Sequence, residues 1–143
     1  MAERLGYQKS GCVLFNYQKY LGIQFKYRGT AVDEGFDCYN LCHAIYRERG
    51  VELPEYAYSD NPEDTVIHQL INEGRDLFQK IEKPEPYCLV LFSLKPPYAT
   101  HLGVVLDDCQ RFIHIMAKRS VTVERLDNIF WSRRIEGYYR YVR

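Results

Sequence analysis

Apolar residues fall at Cys38, Leu41, Cys42 and Ile45, the i, i+3, i+4, i+7 spacing of a single helix face. The stripe predicts an amphipathic helix over 38–49. Asp37 stands before it as an N-cap, and Gly50 with Pro54 behind it supplies the stop. A second helical pattern lies within Asn61 to Ile81, with Val66, Leu70, Ile71, Leu77, Phe78 and Ile81 on its buried side and Asp60 or Asn61 near its start. Upstream, Gly11 to Tyr27 mixes aromatic and polar residues and reads as irregular or a short helix, and Gly29 to Gly35 reads as a loop.

Farther along the period changes. Tyr87 to Leu94 (YCLVLFSL) is nearly continuous apolar, as in a strand buried on both faces. His101 to Leu106 (HLGVVL) and Arg111 to Met116 (RFIHIM) flank Asp107-Asp108 and predict a hairpin. Ser120 to Leu126 alternates as a third strand. Asp127 is the expected cap of a short helical turn through Trp131, and Ile135 to Val142 (IEGYYRYV) is a closing strand. Helices first and antiparallel strands after predict an α+β fold, with N-terminal helices packed on an antiparallel sheet. No repeat or linker divides the 143 residues, so one domain over 1–143 is expected.

Composition narrows the function classes. Lys+Arg and Asp+Glu both count 19, which argues against nucleic acid as a partner, since phosphate binding draws on a basic surplus. The longest strongly apolar run is Cys88 to Phe92, too short to span a membrane. The N-terminus lacks an apolar core of the secretory type, so no signal peptide is expected. Five irregularly spaced cysteines do not read as a disulfide framework, and free thiols in a reducing cytosol are expected.

The candidate chemistry centres on Cys38. A thiol attacks carbonyls as thiolate, and the first turn of a helix offers free N–H groups and the positive end of the helix dipole. That environment favours an anion by about 0.3–1 kcal/mol, up to ~2 when partly buried, which lowers a thiol pKa by roughly one. A base must supply the rest. Of four histidines, His43 points away from Cys38 on the helix, and His68 lies among polar residues as a surface group. His101 and His114 sit on the two arms of the predicted hairpin. A two-residue turn at Asp107-Asp108 sets them directly opposite. A four-residue loop from Asp107 to Gln110 pairs His101 with Met116 and leaves His114 a diagonal neighbour, roughly 7–8 Å away on the same face. Either register lets one imidazole hold the other, giving a nucleophile–base–orienter set. The bland alternative is a packing cysteine with strand histidines satisfied in place. A zinc site from Cys38, Cys42, His101 and His114 lacks the C-x₂-C pairing of structural sites. Cys12, Cys42, Cys88 and Cys109 read as packing thiols.

Gly35-Phe36-Asp37-Cys38-Tyr39-Asn40-Leu41 and Gly50-Val51-Glu52-Leu53-Pro54 resemble the nucleophile helix of the NlpC family, papain-like cysteine peptidases that cut bacterial cell-wall peptides. His101 to Leu106 is similar to that family's base strand, Phe112-Ile113-His114 to the strand of its third catalytic residue, and Tyr87 to Phe92 to its central strand. The resemblance covers the chain from about Phe25 onward. It implies a papain-like domain with Cys38, His101 and His114 catalytic, and Tyr27 and Asp37 at the oxyanion and substrate. It implies no cofactor and no metal. The expected reaction is hydrolysis in the peptidoglycan stem peptide, often at the D-glutamyl–diamino acid bond. Tyr46 to Pro54 and the ending from Val123 to Arg140 are similar to the branch in tailed phages. That implies synthesis in a host cytoplasm, a place on the virion tail and other tail proteins as partners. Tyr39-Asn40 after the cysteine, Tyr27-Arg28-Gly29 upstream and Tyr87-Cys88 before the central strand depart from the family pattern. Competing readings are a structural tail-tip subunit with a vestigial cleft, and a cytosolic papain-fold amidase or acyltransferase.

Overall fold

The computed structural model describes residues 16–54, 77–94 and 101–142. In chain order these form a 3₁₀ turn (Tyr17–Tyr20), the short strands β1 (Thr30–Ala31) and β2 (Gly35–Phe36), helix α1 (Cys38–Glu48), and strands β3 (Phe78–Ile81), β4 (Leu89–Phe92), β5 (His101–Val105), β6 (Arg111–His114) and β7 (Thr122–Arg125). A single-turn helix α2 (Ile129–Ser132) and strand β8 (Ile135–Tyr141) complete them. β1 and β2 pair as a ribbon, and the other six strands make one antiparallel sheet in the order β3-β8-β4-β5-β6-β7.

Helix α1 starts and stops where its sequence directs. Asp37 caps it, accepting the Asn40 amide at 2.8 Å. At the other end Gly50 takes φ +85°, its N–H donates to the Arg47 carbonyl at 3.0 Å, and the Val51 N–H donates to the Tyr46 carbonyl at 2.9 Å. These are the paired reverse hydrogen bonds of a Schellman stop, which needs a left-handed residue and so favours glycine.

Alternation along the strands divides the core into two layers. Leu89, Leu91, Leu102, Val104 and Ile113 face α1 and pack with Leu41, Cys42 and Ile45. Cys88, Val90, Phe92, Val105 and Phe112 face the other way and pack with Leu126 and with Trp131 of α2. β4 and β5 are therefore buried on both faces along their whole length, which is why Tyr87 to Leu94 reads as continuous apolar. Burying each such side chain contributes about 1.5–3 kcal/mol. Among the described residues no helix is long and apolar enough to cross a membrane.

The structure departs from the sequence expectations in three elements. The helix expected within Asn61 to Ile81 does not include its last residues: Phe78–Ile81 is a strand, paired antiparallel with β8, and 61–76 lie outside the described residues. Leu77, Phe78 and Ile81 satisfy a helical spacing, but so short a run fits either period, and tertiary contacts decide. Phe78 stacks edge-on with Tyr141 at 5.7 Å, and β8 supplies backbone partners. The cap of α2 is Asn128, whose Oδ1 accepts the amides of Phe130 and Trp131 at 2.9 and 3.3 Å. Asp127 instead binds Arg125, with Nε to Oδ1 at 2.8 Å. The loop expected over Gly29 to Gly35 carries β1 and runs into β2, with Thr30 paired to Phe36 and Ala31 to Gly35. The last strand forms as expected, and β8 lies between β3 and β4.

Candidate active site

Asp37 organises the start of α1. It is 5% exposed, and both carboxylate oxygens are engaged: Oδ1 accepts from the Asn40 amide, and Oδ2 accepts from the Arg28 amide at 3.0 Å. The second bond ties the turn bearing Tyr27 to the helix N-terminus. Tyr27 is half-buried, with the Arg28 guanidinium 5.4 Å from its ring centroid.

Cys38, the first residue of the helix, is partly buried. Burial pushes its thiol up to about 12, with the Asp37 carboxylate adding to the rise. The backbone N–H groups of Leu102, Tyr39 and Cys38 itself pull in the other direction. The Leu102 amide belongs to β5 and adjoins His101, so the sulfur lies against the beginning of that strand. With the thiol held up, the rate of Cys38 alkylation by iodoacetamide is expected to climb about tenfold per pH unit across the neutral range. Peptide mass mapping over a pH series checks this. A plateau at neutral pH would mean that a stable thiolate–imidazolium pair outweighs burial.

The four-residue loop is the register observed. Val104 pairs with Ile113 and Val105 with Phe112, so Gly103 stands opposite His114 and His101 lies diagonal to it. Asp108 builds the loop, accepting the amides of Gln110 and Arg111 at 2.9 and 3.1 Å and the Arg111 guanidinium at 2.6 Å. His101 Nε2 and His114 Nδ1 are 2.8 Å apart, a hydrogen bond across the diagonal. Gly103 makes room for it: a Cβ there would lie 2.8 Å from the Ile113 carbonyl oxygen and 3.2 Å from the His114 Cβ.

Around the pair stands an aromatic wall. Trp131 lies 5.5 Å from the His101 ring and 4.8 Å from the His114 ring. Phe92 is 5.7 Å from His101, and Phe112 is 4.7 Å from His114. His101 and His114 are 3% and 1% exposed. Burial, with His114 as a second cause, holds the His101 imidazole well below its usual range. Burial lowers His114 also, against the opposing pull of Glu124. Both rings are accordingly neutral at neutral pH. His114 Nε2 meets the Glu124 carboxylate at 2.6 Å.

Of the other candidates, His43 is buried on α1, with Nε2 3.4 Å from a Glu52 oxygen and its ring edge-on to Tyr39. His68 and Cys12 lie outside the described residues. Cys38, Cys42, Cys88 and Cys109 are free thiols, and among the described residues no group of three or more His, Cys, Asp or Glu side chains is placed to hold a metal. Two participants are absent from the sequence reading of the site, Glu124 and Trp131. Glu124 was within reach, because the β6–β7 register pairs Phe112 with Glu124 and His114 with Thr122, putting Glu124 on the face of His114.

A helix opening on a cysteine and laid across an antiparallel sheet defines a papain-like α+β domain, and solved structures share it. A protein similar to lipoprotein of the NLP/P60 family from Staphylococcus aureus superposes with a TM-score of 0.62 at 20% identity over 92% of this chain and 44% of that one. An NlpC/P60 family protein from Bacillus cereus gives 0.63 at 23% identity, over 87% of this chain and 37% of that one. The NlpC/p60 domain of the peptidoglycan hydrolase SagA gives 0.58 at 18% identity, over 86% of this chain and 91% of that domain. The chain thus spans less than half the length of the first two. No curated protein matches it. The sequence matches the NlpC/P60 family over residues 22–140, and the chain belongs to that family.

Proposed function

We propose that this chain is a cysteine peptidase of the bacterial cell wall in which Cys38 is the nucleophile, His101 the general base and His114 the group that orients it. The observation that carries the reading is the His101–His114 hydrogen bond on the strand whose next amide, that of Leu102, reaches the Cys38 sulfur. His101 Nε2 is committed to His114, which leaves Nδ1 as the nitrogen that serves the thiol.

In the proposed reaction the Cys38 sulfur attacks the scissile carbonyl carbon as its proton passes to His101 Nδ1. The oxyanion forms beside the Cys38 N–H, with Tyr27 as the second contact, while Asp37 holds the Tyr27 turn against the helix start. The C–N bond then breaks, the amine leaves with the proton from His101, and a thioester remains. Water, deprotonated by the same nitrogen, hydrolyses the thioester to free the acid and restore the thiol.

The substrate class rests on family membership and on the fold shared with the NlpC/p60 domain of a peptidoglycan hydrolase. The finer reading is a murein endopeptidase cutting the D-glutamyl–diamino acid bond. Sequence likeness over Tyr46 to Pro54 and Val123 to Arg140 favours a phage tail or tail-tip component, made in the host cytoplasm and working beside other tail proteins. Incubating the purified protein with peptidoglycan and mass-mapping the muropeptides tests this. The expected products are stem peptides ending at D-glutamate. An unchanged muropeptide profile would refute the peptidase reading, and a different cut site would refute the assigned bond.

A further inference from the structure

We propose that Glu124 is a positioning residue that sets the tautomer of both histidines and so aims the basic lone pair of His101 at Cys38. The proposal deepens the catalytic reading above and rests on it for the role of the lone pair.

The proton count follows from the two contacts. A carboxylate only accepts hydrogen bonds, so the 2.6 Å contact of Glu124 Oε2 with His114 Nε2 requires a proton on that nitrogen. His114 sits 1% exposed against Phe112 and Trp131, surroundings that favour its uncharged ring. A neutral ring protonated at Nε2 has a bare Nδ1. That bare nitrogen lies 2.8 Å from His101 Nε2, which must therefore donate to it. His101, itself 3% exposed and neutral, is left with a bare Nδ1, ready to take the proton of the thiol.

Without the carboxylate the chain loses its direction. His114 protonated at Nδ1 would donate to His101 Nε2, force the His101 proton onto Nδ1 and block the transfer from Cys38. Glu124 stands on β7, on the side of the sheet that bears Phe112 and His114, and its side chain is 32% exposed, so it meets His114 without itself being buried. A carboxylate left in contact with solvent bears its charge at little desolvation cost. When His101 becomes imidazolium during the reaction, that charge also favours the cation through His114.

The test uses the full chain with ¹⁵N-labelled histidine, and the variants Glu124→Ala and Glu124→Gln. Wild type is expected to show His101 and His114 both protonated at Nε2 and bare at Nδ1. E124A is expected to show a mixture of His114 tautomers, with kcat lowered about 10–100-fold and KM nearly unchanged. E124Q, whose amide oxygen still accepts a hydrogen bond, is expected to recover most of both. A His114 protonated at Nδ1 in wild type, or E124A spectra and kcat equal to wild type, overturns the proposal. Should wild type lack activity on peptidoglycan, the peptidase reading fails, while the wild-type spectrum alone still decides whether Glu124 sets the tautomers.

Discussion

Cys38→Ala is expected to lower hydrolysis of peptidoglycan stem peptides on the order of 10⁶-fold, the scale of removing a nucleophile that acts as a unit with its base. The domain is expected to stay folded. Cys38 is partly buried at a helix start, the cap on Asn40 comes from Asp37, and trading a sulfur for hydrogen there costs about 1 kcal/mol or less. His101→Ala is expected to lose almost as much, and the double variant little more than either alone, since neither group works without the other. Initial rates on a defined stem peptide, with thermal melts of each variant, check both statements. Retained turnover in Cys38→Ala would remove the sulfur from the mechanism.

Such a large loss sits beside a thiol held at about 12. At neutral pH the resting group is the protonated thiol and the resting His101 is neutral. In the proposed mechanism attack and proton transfer then proceed together, and the base matters more than it would to a preformed thiolate. Two features of the site suit that proposal: the amides of Leu102, Tyr39 and Cys38 favour negative charge on the sulfur, and the His101–His114 bond occupies Nε2 of His101 and leaves Nδ1 to receive the proton.

How much of this was legible in the sequence depends on how local each feature is. The helix from Cys38 and its cap by Asp37 follow from a stripe and one polar residue within a single turn. The meeting of His101 and His114 follows from loop length, since a strand's period of two fixes the face once the loop has four residues. Strand β3 did not follow, because Leu77, Phe78 and Ile81 suit two periods and only pairing with β8, some sixty residues later, selects one. The insertion of β8 between β3 and β4 is non-local in the same way. Glu124 required two successive registers to be right, and the placing of Trp131 over the histidines required the fold-back of α2 onto the sheet, for which no periodicity gives a sign.

Trp131→Ala is expected to destabilise the protein by about 3–5 kcal/mol, a large part of the roughly 5–15 kcal/mol that domains of this kind possess. Trp131 is 5% exposed and packs on Phe92 at 4.9 Å and Phe112 at 5.7 Å as well as on both histidines. Its loss also admits water to the imidazoles, with an effect on pH dependence that can be signed. In the native protein burial lowers the pKa of His101 and His114 below the unfolded value of about 6.5. The unfolded chain therefore binds more protons as the pH drops, and stability present above pH 6.5 is lost as pH falls through the native values. Relieving the burial raises the native values, so the stability of Trp131→Ala should fall less steeply from pH 7.5 to pH 5 although it is lower throughout. Urea denaturation at the two pH values measures the slope. Trp131→Phe, which keeps most of the apolar bulk, should stay folded firmly enough for kinetics, with the acid limb of kcat/KM moved upward. An acid limb unmoved in Trp131→Phe, together with an unchanged pH slope in Trp131→Ala, would mean that the indole contributes packing alone and that other groups keep the histidines neutral.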